Sequence, residues 1–277
     1  MQVDDRIYRS LLPILIINVA FMTAFLYYAV TFKKRPKTQE VLSRLHTSFL
    51  GVYFREFWTW LISPIVKSLA FLHFTPNMVT TLSIFMSLFT GYMIVIGRLD
   101  WAGWLIVLSG TMDMLDGQLA RLTGQTTRSG AFYDACMDRY NDAFVYAGLG
   151  LYFVCRNFKL GDASFTVDSL DFMMLIVSIL LILGTEVTSY SKARGEAMGF
   201  DTKKGLMQRP ERVAFLSFFI VLYPFFRILA ENNGLHPDIS LIISVIVMTV
   251  LVNFTAIVRI VDLFRQIKIT DVAAKNK

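Results

Sequence analysis

The chain has 277 residues, of which 55% are hydrophobic and only 17% charged, with a mean hydropathy of +0.54. That balance excludes a soluble globular domain and points to a chain that threads a bilayer several times. The net charge of +6 fits loops facing the cytoplasm and anionic headgroups better than a nucleic-acid surface, because no basic stripe with interleaved aromatics stands apart from the apolar segments.

In chain order, Leu11 to Phe32 is uncharged and long enough to cross a membrane. The head Asp4-Asp5-Arg6 is not basic and the run is too long for a signal-peptide core, so the segment reads as an uncleaved anchor. A polar linker follows, Lys33 to Arg44, which contains Pro36. Residues 1–44 are therefore set apart as an N-terminal transmembrane helix with a basic linker, and residues 45–277 as the main transmembrane domain. Phe49 to Leu72 mixes Phe54, Phe57, Trp58, Leu61 and Ile62 with Arg55, Glu56 and Lys67, as in an amphipathic helix lying along the interface.

Pro76-Asn77 opens the next helix, which runs to about Ile96. The apolar run Trp101 to Met112 then falls short. At ~1.5 Å per residue it reaches about 18 Å, against a hydrocarbon core of ~30 Å. It spans only by continuing through Asp113 and Asp116 to around Arg121. Ala143 to Cys155 has the same defect and must start near Gly130. Three more helices are predicted at about Asp171 to Ser191, Arg212 to Leu229 and Ile239 to Val261. The fold class is thus an all-α polytopic membrane protein: a six-helix transmembrane bundle with an interfacial amphipathic helix and one extra N-terminal transmembrane helix. Cys136 and Cys155 lie in apolar helices and read as small packing residues, and His46, His73 and His236 form no cluster.

Basic residues Lys33, Lys34, Arg35, Lys37, Arg44, Arg121, Arg128, Lys192, Arg194, Lys203, Lys204, Arg209, Arg212, Arg265 and Lys268 all fall on one side if the amino terminus is outside. The positive-inside rule makes that side cytoplasmic. An integral protein of the cytoplasmic (inner) membrane follows, with the aspartates at the cytoplasmic ends of their helices.

Those aspartates form one constellation: Asp113, Asp116, Gly117, Ala120, Arg121, Gly130, Asp134 and Asp138. Intramembrane carboxylates are disfavoured by about 2.5–3.5 kcal/mol or more unless something neutralises them. Asp113 and Asp116 are three apart and Asp134 and Asp138 four apart, so each pair projects from one helix face. Two such faces meeting make an all-oxygen site for hard divalent cations, and two metals so held serve phosphoryl transfer. Gly117 lets a base or phosphate approach the backbone, and Ala120 is small for the same reason or for close packing. Arg121 presents a planar fork to phosphate oxygens, and Gly130 is expected to let the second aspartate helix approach the first. Asp138 is the candidate base for an acceptor hydroxyl.

The run D-x2-D-G-x2-A-R-x8-G-x3-D-x3-D resembles the signature of the CDP-alcohol phosphotransferase (phosphatidyltransferase) family, with every fixed position present. The resemblance covers roughly Phe49 to Arg265. It implies transfer of a phosphatidyl or similar group from a CDP-linked donor to an alcohol, with release of CMP. It implies two bound Mg2+ or Mn2+ ions, with Asp113, Asp116 and Asp134 as metal ligands and Asp138 as ligand and base. It implies a donor site at Asp116, Gly117, Ala120, Arg121 and Gly130, and a homodimer. Structural ion pairs with Arg121, Arg128 or Arg139, and a divalent-cation transporter, are the competing readings; neither explains the ordered offsets.

For the acceptor, Thr127-Arg128-x-Gly130-Ala131 and Asp138-Arg139 look like inositol-type members. Ser189-Tyr190-Ser191-Lys192-Ala193-Arg194-Gly195-Glu196-Ala197 and Gln208-Arg209-Pro210-Glu211-Arg212 are similar to the region that bacterial phosphatidylinositol-phosphate synthases use. Gly195 stands where those usually have Ala, and Gln208 where Glu is common. The resemblance implies acceptor contacts from Lys192, Arg212 and Arg259, with Arg128 and Arg139 added. Converging cations suit a phosphomonoester better than a neutral polyol. The expected acceptor is inositol 1-phosphate and the expected donor CDP-diacylglycerol, with free inositol or glycerol 3-phosphate as alternative acceptors.

Overall fold

The computed structural model describes residues 5–32, 52–156, 167–202 and 205–275. The linker cations Lys33 to Arg44, and Lys203 and Lys204, lie outside the described residues. Among the described residues every regular element is a helix: α1 (Asp5–Phe32), α2 (Val52–Phe71), α3 (Pro76–Val95), α4 (Leu99–Leu122), α5 (Arg128–Cys155), α6 (Ser169–Ala197), α7 (Arg209–Val221), α8 (Tyr223–Asn232) and α9 (Ile239–Lys275).

The helix boundaries follow local chemistry. Pro76 sits at the first position of α3, where its missing N–H costs nothing, and the Thr75 hydroxyl accepts from the Met78 N–H at 3.3 Å. Thr127 caps α5 in the same way, accepting from the Gly130 N–H at 3.0 Å. The two short apolar runs extend as their lengths demanded, α4 through both of its aspartates to Leu122 and α5 from Arg128 onward.

Three helices, α3, α6 and α9 up to Ala274, are long and apolar enough to cross a membrane on length and composition alone. The expected single helix over Arg212 to Leu229 is instead two, α7 and α8, bent by 51° at Leu222. Pro224 explains the break: it has no N–H to donate to the Ile220 carbonyl, and its ring crowds that oxygen.

Packing places α3 against both α4 and α5, the two aspartate-bearing helices. The α3–α5 contact is backbone-close. A Cβ added at Gly91 would lie 2.5 Å from the Phe144 carbonyl oxygen, and one at Gly148 would lie 2.8 Å from the Gly91 Cα. Buried Ser83, Ser87 and Thr90 line the same face of α3. Small residues at the contact are what membrane helices use where apolar side chains gain nothing over lipid. Helix α7 closes on α4 at Gly103 and Gly110, and α6 packs on both α5 and α9. A core including Ile94, Leu149, Phe153, Leu181, Ile220 and Met248 joins these helices. Helix α1 docks on α2 through rings: Phe21, Phe25 and Tyr28 surround Phe57 at centroid distances of 5.1 to 5.4 Å.

At the far end of α5, Arg156 pairs with Asp171 of α6 and, at 2.6 Å, with Asp238 ahead of α9. Tyr152 and Tyr223 both donate to the Asp238 carboxylate. This buried knot ties the ends of α5, α6, α8 and α9 together. Arg156 lies eighteen positions after Asp138, or about 27 Å along the helix.

Candidate active site

The last turns of α4 and the first turns of α5 are joined by residues 123–127, where Gly124 takes a φ of +68°. Asp113 and Asp116 therefore leave α4 near the point where Asp134 and Asp138 leave α5. The two faces meet on a residue from a third helix. Arg209, the first residue of α7, directs one guanidinium nitrogen, Nη1, to Asp113 Oδ2 and to Asp138 Oδ1, the latter at 2.7 Å. Carboxylates of both helices thus lie within reach of a single small cation. Asp116 is turned to the other side and buried, accepting from the Thr80 hydroxyl of α3 at 2.6 Å. Thr81 and Tyr133 are hydrogen-bonded at 2.9 Å, tying α3 to the start of α5.

The donor set is all carboxylate, and two of its buried oxygens, Asp113 Oδ1 and Asp134 Oδ1, have no hydrogen-bond partner. An orphaned buried carboxylate oxygen is expensive, and hard divalent cations are the partners that take such atoms. The residues therefore fit divalent metal ions. As they stand, no three acidic side chains among the described residues converge on one metal position; the cation that reaches Asp113 and Asp138 is Arg209.

Around this centre, the Arg121 guanidinium lies along α4 so that a Cβ on Gly117 would meet it at 3.5 Å, and Ala120 is half-buried one turn beyond. Gly130 departs from expectation. A Cβ there would meet Thr127 Oγ1 at 3.0 Å and Asn77 Oδ1 at 3.6 Å, so its small size serves the α5 cap and the start of α3, not an approach to α4. Helix α5 makes its backbone-close approach to α3, at Gly91 and Gly148.

The five basic residues expected at the acceptor do not form one group. Arg128 is exposed at the start of α5, and Lys192 is half-exposed and 3.6 Å from Glu196 on its own helix. Arg139 donates to the Ala135 carbonyl, while Glu186 of α6 lies within electrostatic reach of both Arg139 and Arg212. Arg212 is buried and donates to Asp142 Oδ2 at 2.8 Å and to the Met207 carbonyl at 3.3 Å. Arg259 is buried too, donates to the Thr188 carbonyl at 3.1 Å and lies close enough to Arg212 to feel its charge. Arg139, Arg212 and Arg259 thus line one side of the bundle beside the aspartates.

Three residues at the centre do not stand out in the sequence. Asp142 continues the i, i+4 stripe of Asp134 and Asp138, a signal that is present there. Arg209 has only its place in the Gln208 to Arg212 stretch. Thr80 carries no signal, since a threonine in an apolar helix is ordinary until its partner is placed.

Beside this centre lies a groove of about 430 Å³ between the start of α3 and Tyr133, lined by Phe74, Asn77, Met78, Thr81 and Phe85.

Known proteins are similar in sequence and fold. The chain is 32% identical over 165 residues to a phosphatidylinositol phosphate synthase of Corynebacterium glutamicum, covering 59% of this chain and 70% of that protein. The fold is similar to crystal structures of the Mycobacterium tuberculosis phosphatidylinositol phosphate synthase. In the complex with manganese and citrate the TM-score is 0.60 at 26% identity, covering 73% of this chain and 88% of that one. In the structure with CDP-DAG bound the TM-score is 0.58 at 27% identity, covering 73% and 92%. The sequence model of CDP-alcohol phosphatidyltransferases matches residues 73–261, a stretch that contains the whole aspartate constellation and most of the bundle. These matches leave the cation-transporter reading without support, and the chain belongs to the CDP-alcohol phosphatidyltransferase family.

Proposed function

We propose that this chain transfers a phosphatidyl group from CDP-diacylglycerol to inositol 1-phosphate, releasing CMP and forming phosphatidylinositol phosphate. The observation that carries the reading is the meeting of Asp113 and Asp138, from two different helices, on one cationic nitrogen. Two ions, Mg2+ or Mn2+, held by Asp113, Asp116, Asp134 and Asp138 would polarise the donor pyrophosphate and offset charge on the departing CMP. Asp116, Gly117, Ala120, Arg121 and Gly130 border the cytidine diphosphate, with the Arg121 fork on phosphate oxygens. The groove beside Tyr133, lined by Phe74, Met78, Leu82 and Phe85, suits a donor with acyl tails.

Asp138 takes the proton of an inositol hydroxyl as that oxygen forms its bond to the phosphorus bearing diacylglycerol. The bond from that phosphorus to the bridging oxygen breaks, and the electron pair leaves with CMP. Arg139, Arg212 and Arg259 supply positive charge for the acceptor phosphate, with Lys192 and Arg128 nearer the surface. Arg212 and Arg259 are already engaged with Asp142 and Thr188, so their charge is held in place rather than free to search.

The wider arrangement belongs to the same proposal. Residues 1–44 form an anchor and linker, and residues 45–277 form the catalytic domain with an interfacial helix at α2 and six spans. The active site opens to the cytoplasm from the inner membrane, and the protein acts as a homodimer. The direct test supplies labelled CDP-diacylglycerol to purified protein in liposomes with each acceptor in turn and counts CMP. Release is expected with inositol 1-phosphate in the presence of Mg2+ or Mn2+ and not after chelation. Release with free inositol or glycerol 3-phosphate alone contradicts the acceptor assignment, and metal-independent release contradicts the mechanism.

A further inference from the structure

Resting on that reading, we propose that Arg209 is a built-in counter-ion of the catalytic carboxylates, which competes with the divalent cation for Asp113 and Asp138 and gives way when the cation binds. Its Nη1 sits on an oxygen of each residue. A divalent ion bridging Asp113 and Asp138 would bring a second positive charge against that guanidinium, and at that range the two repel.

The surroundings of Arg209 are built for an exchange of this kind. Its Nε lies 3.7 Å from Asp142 Oδ1, and Asp142 is itself fixed because Arg212 holds its other oxygen at 2.8 Å. The guanidinium can therefore leave Asp113 and Asp138 without losing its anchor. Beside it lies a small cavity of about 30 Å³, bordered by Arg209 and Asp142 and by Ile106, Val145, Val213 and Leu216, which leaves the packing around the guanidinium incomplete. The neighbouring Arg212 marks the contrast. Arg212 is 3% exposed and held by Asp142, Tyr146 and a backbone carbonyl, whereas Arg209 is 23% exposed and hangs from the first position of a helix.

Between turnovers Arg209 neutralises carboxylates that would otherwise face one another across two helices. Cation uptake then has to displace it, so the metal binds weakly alone and more tightly when the donor pyrophosphate offers the released guanidinium an anionic partner. Metal occupancy is thereby coupled to substrate.

The test is a Mn2+ titration of the detergent-purified full chain without any substrate, followed by the electron paramagnetic resonance signal of free Mn2+. Arg209→Gln is expected to bind Mn2+ about tenfold more tightly than the native protein, the loss of roughly one charge-assisted contact in competition, and Arg209→Lys to stay close to native. Equal or weaker binding by Arg209→Gln overturns the proposal while leaving the proposed function standing. Absence of saturable Mn2+ binding in every protein, both without and with CDP-diacylglycerol, overturns the proposed function itself. Should Arg209→Gln fail to elute as a single folded species, the native protein still decides: with Mn2+ bound, its structure must show the guanidinium off Asp113 and Asp138, and a guanidinium still on both refutes the exchange.

Discussion

Asp138 and Asn differ by a charge and a proton-accepting oxygen, not by size, so Asp138→Asn removes the base and a metal ligand together while keeping the volume of the side chain. The fold should persist, because Asp138 is half-buried beside α7 and the charged contact it makes, to Arg209, is shared with Asp113. CMP release should fall by roughly 10²–10⁴-fold, the usual range for a lost general base, while donor binding measured on the purified variant stays near native. Near-normal turnover would remove Asp138 from that role. The four aspartates were legible in the sequence because carboxylates at helical spacing are costly in apolar helices unless they bind something. Asp142 has the same spacing but falls outside the family's signature, and so carries less weight in the sequence. Arg209 and Thr80 were not legible, because each acquires its partner only when helices distant in sequence are packed. Thr80 reaches Asp116 across 36 positions.

At the scale of elements, length arithmetic was the strongest guide. Two apolar runs too short to cross a bilayer had to recruit their flanking aspartates, and α4 and α5 do include them. The break between α7 and α8 was readable in principle from Pro224, but a continuous apolar pattern masks it until the bend is seen. Helix-to-helix contacts were the least readable, since Gly91 and Gly148 belong to no motif. Their role yields a sharp prediction. Gly91→Ala puts a methyl 2.5 Å from the Phe144 carbonyl oxygen, against backbone that has no rotamer to yield. Overpacking of this kind typically costs about 1–3 kcal/mol. A lower melting temperature in detergent is expected, together with reduced CMP release, because α3 carries the Thr80 that holds Asp116 and α5 carries Asp134 and Asp138. An unchanged melting temperature would mean that the two helices are not in backbone contact.

For the molecule as a whole, two polar centres are set at opposite ends of one apolar bundle. The aspartates and Arg209 occupy one end of α5, and the knot of Arg156, Asp171 and Asp238 the other. Their separation of about 27 Å along the helix approaches the ~30 Å of a hydrocarbon core. Charged groups at that spacing can each sit at an interface while the core between them stays apolar. The second centre ties helices together and leaves the first to do chemistry. Everything then turns on whether the two aspartate faces share divalent cations. Anomalous scattering from crystals of the native protein grown with Mn2+ and CDP-diacylglycerol measures this directly. Peaks are expected between the Asp113/Asp116 face of α4 and the Asp134/Asp138 face of α5, within bonding distance of carboxylates from both helices. A map with no peak there, or with Mn2+ bound only elsewhere on the chain, would contradict it.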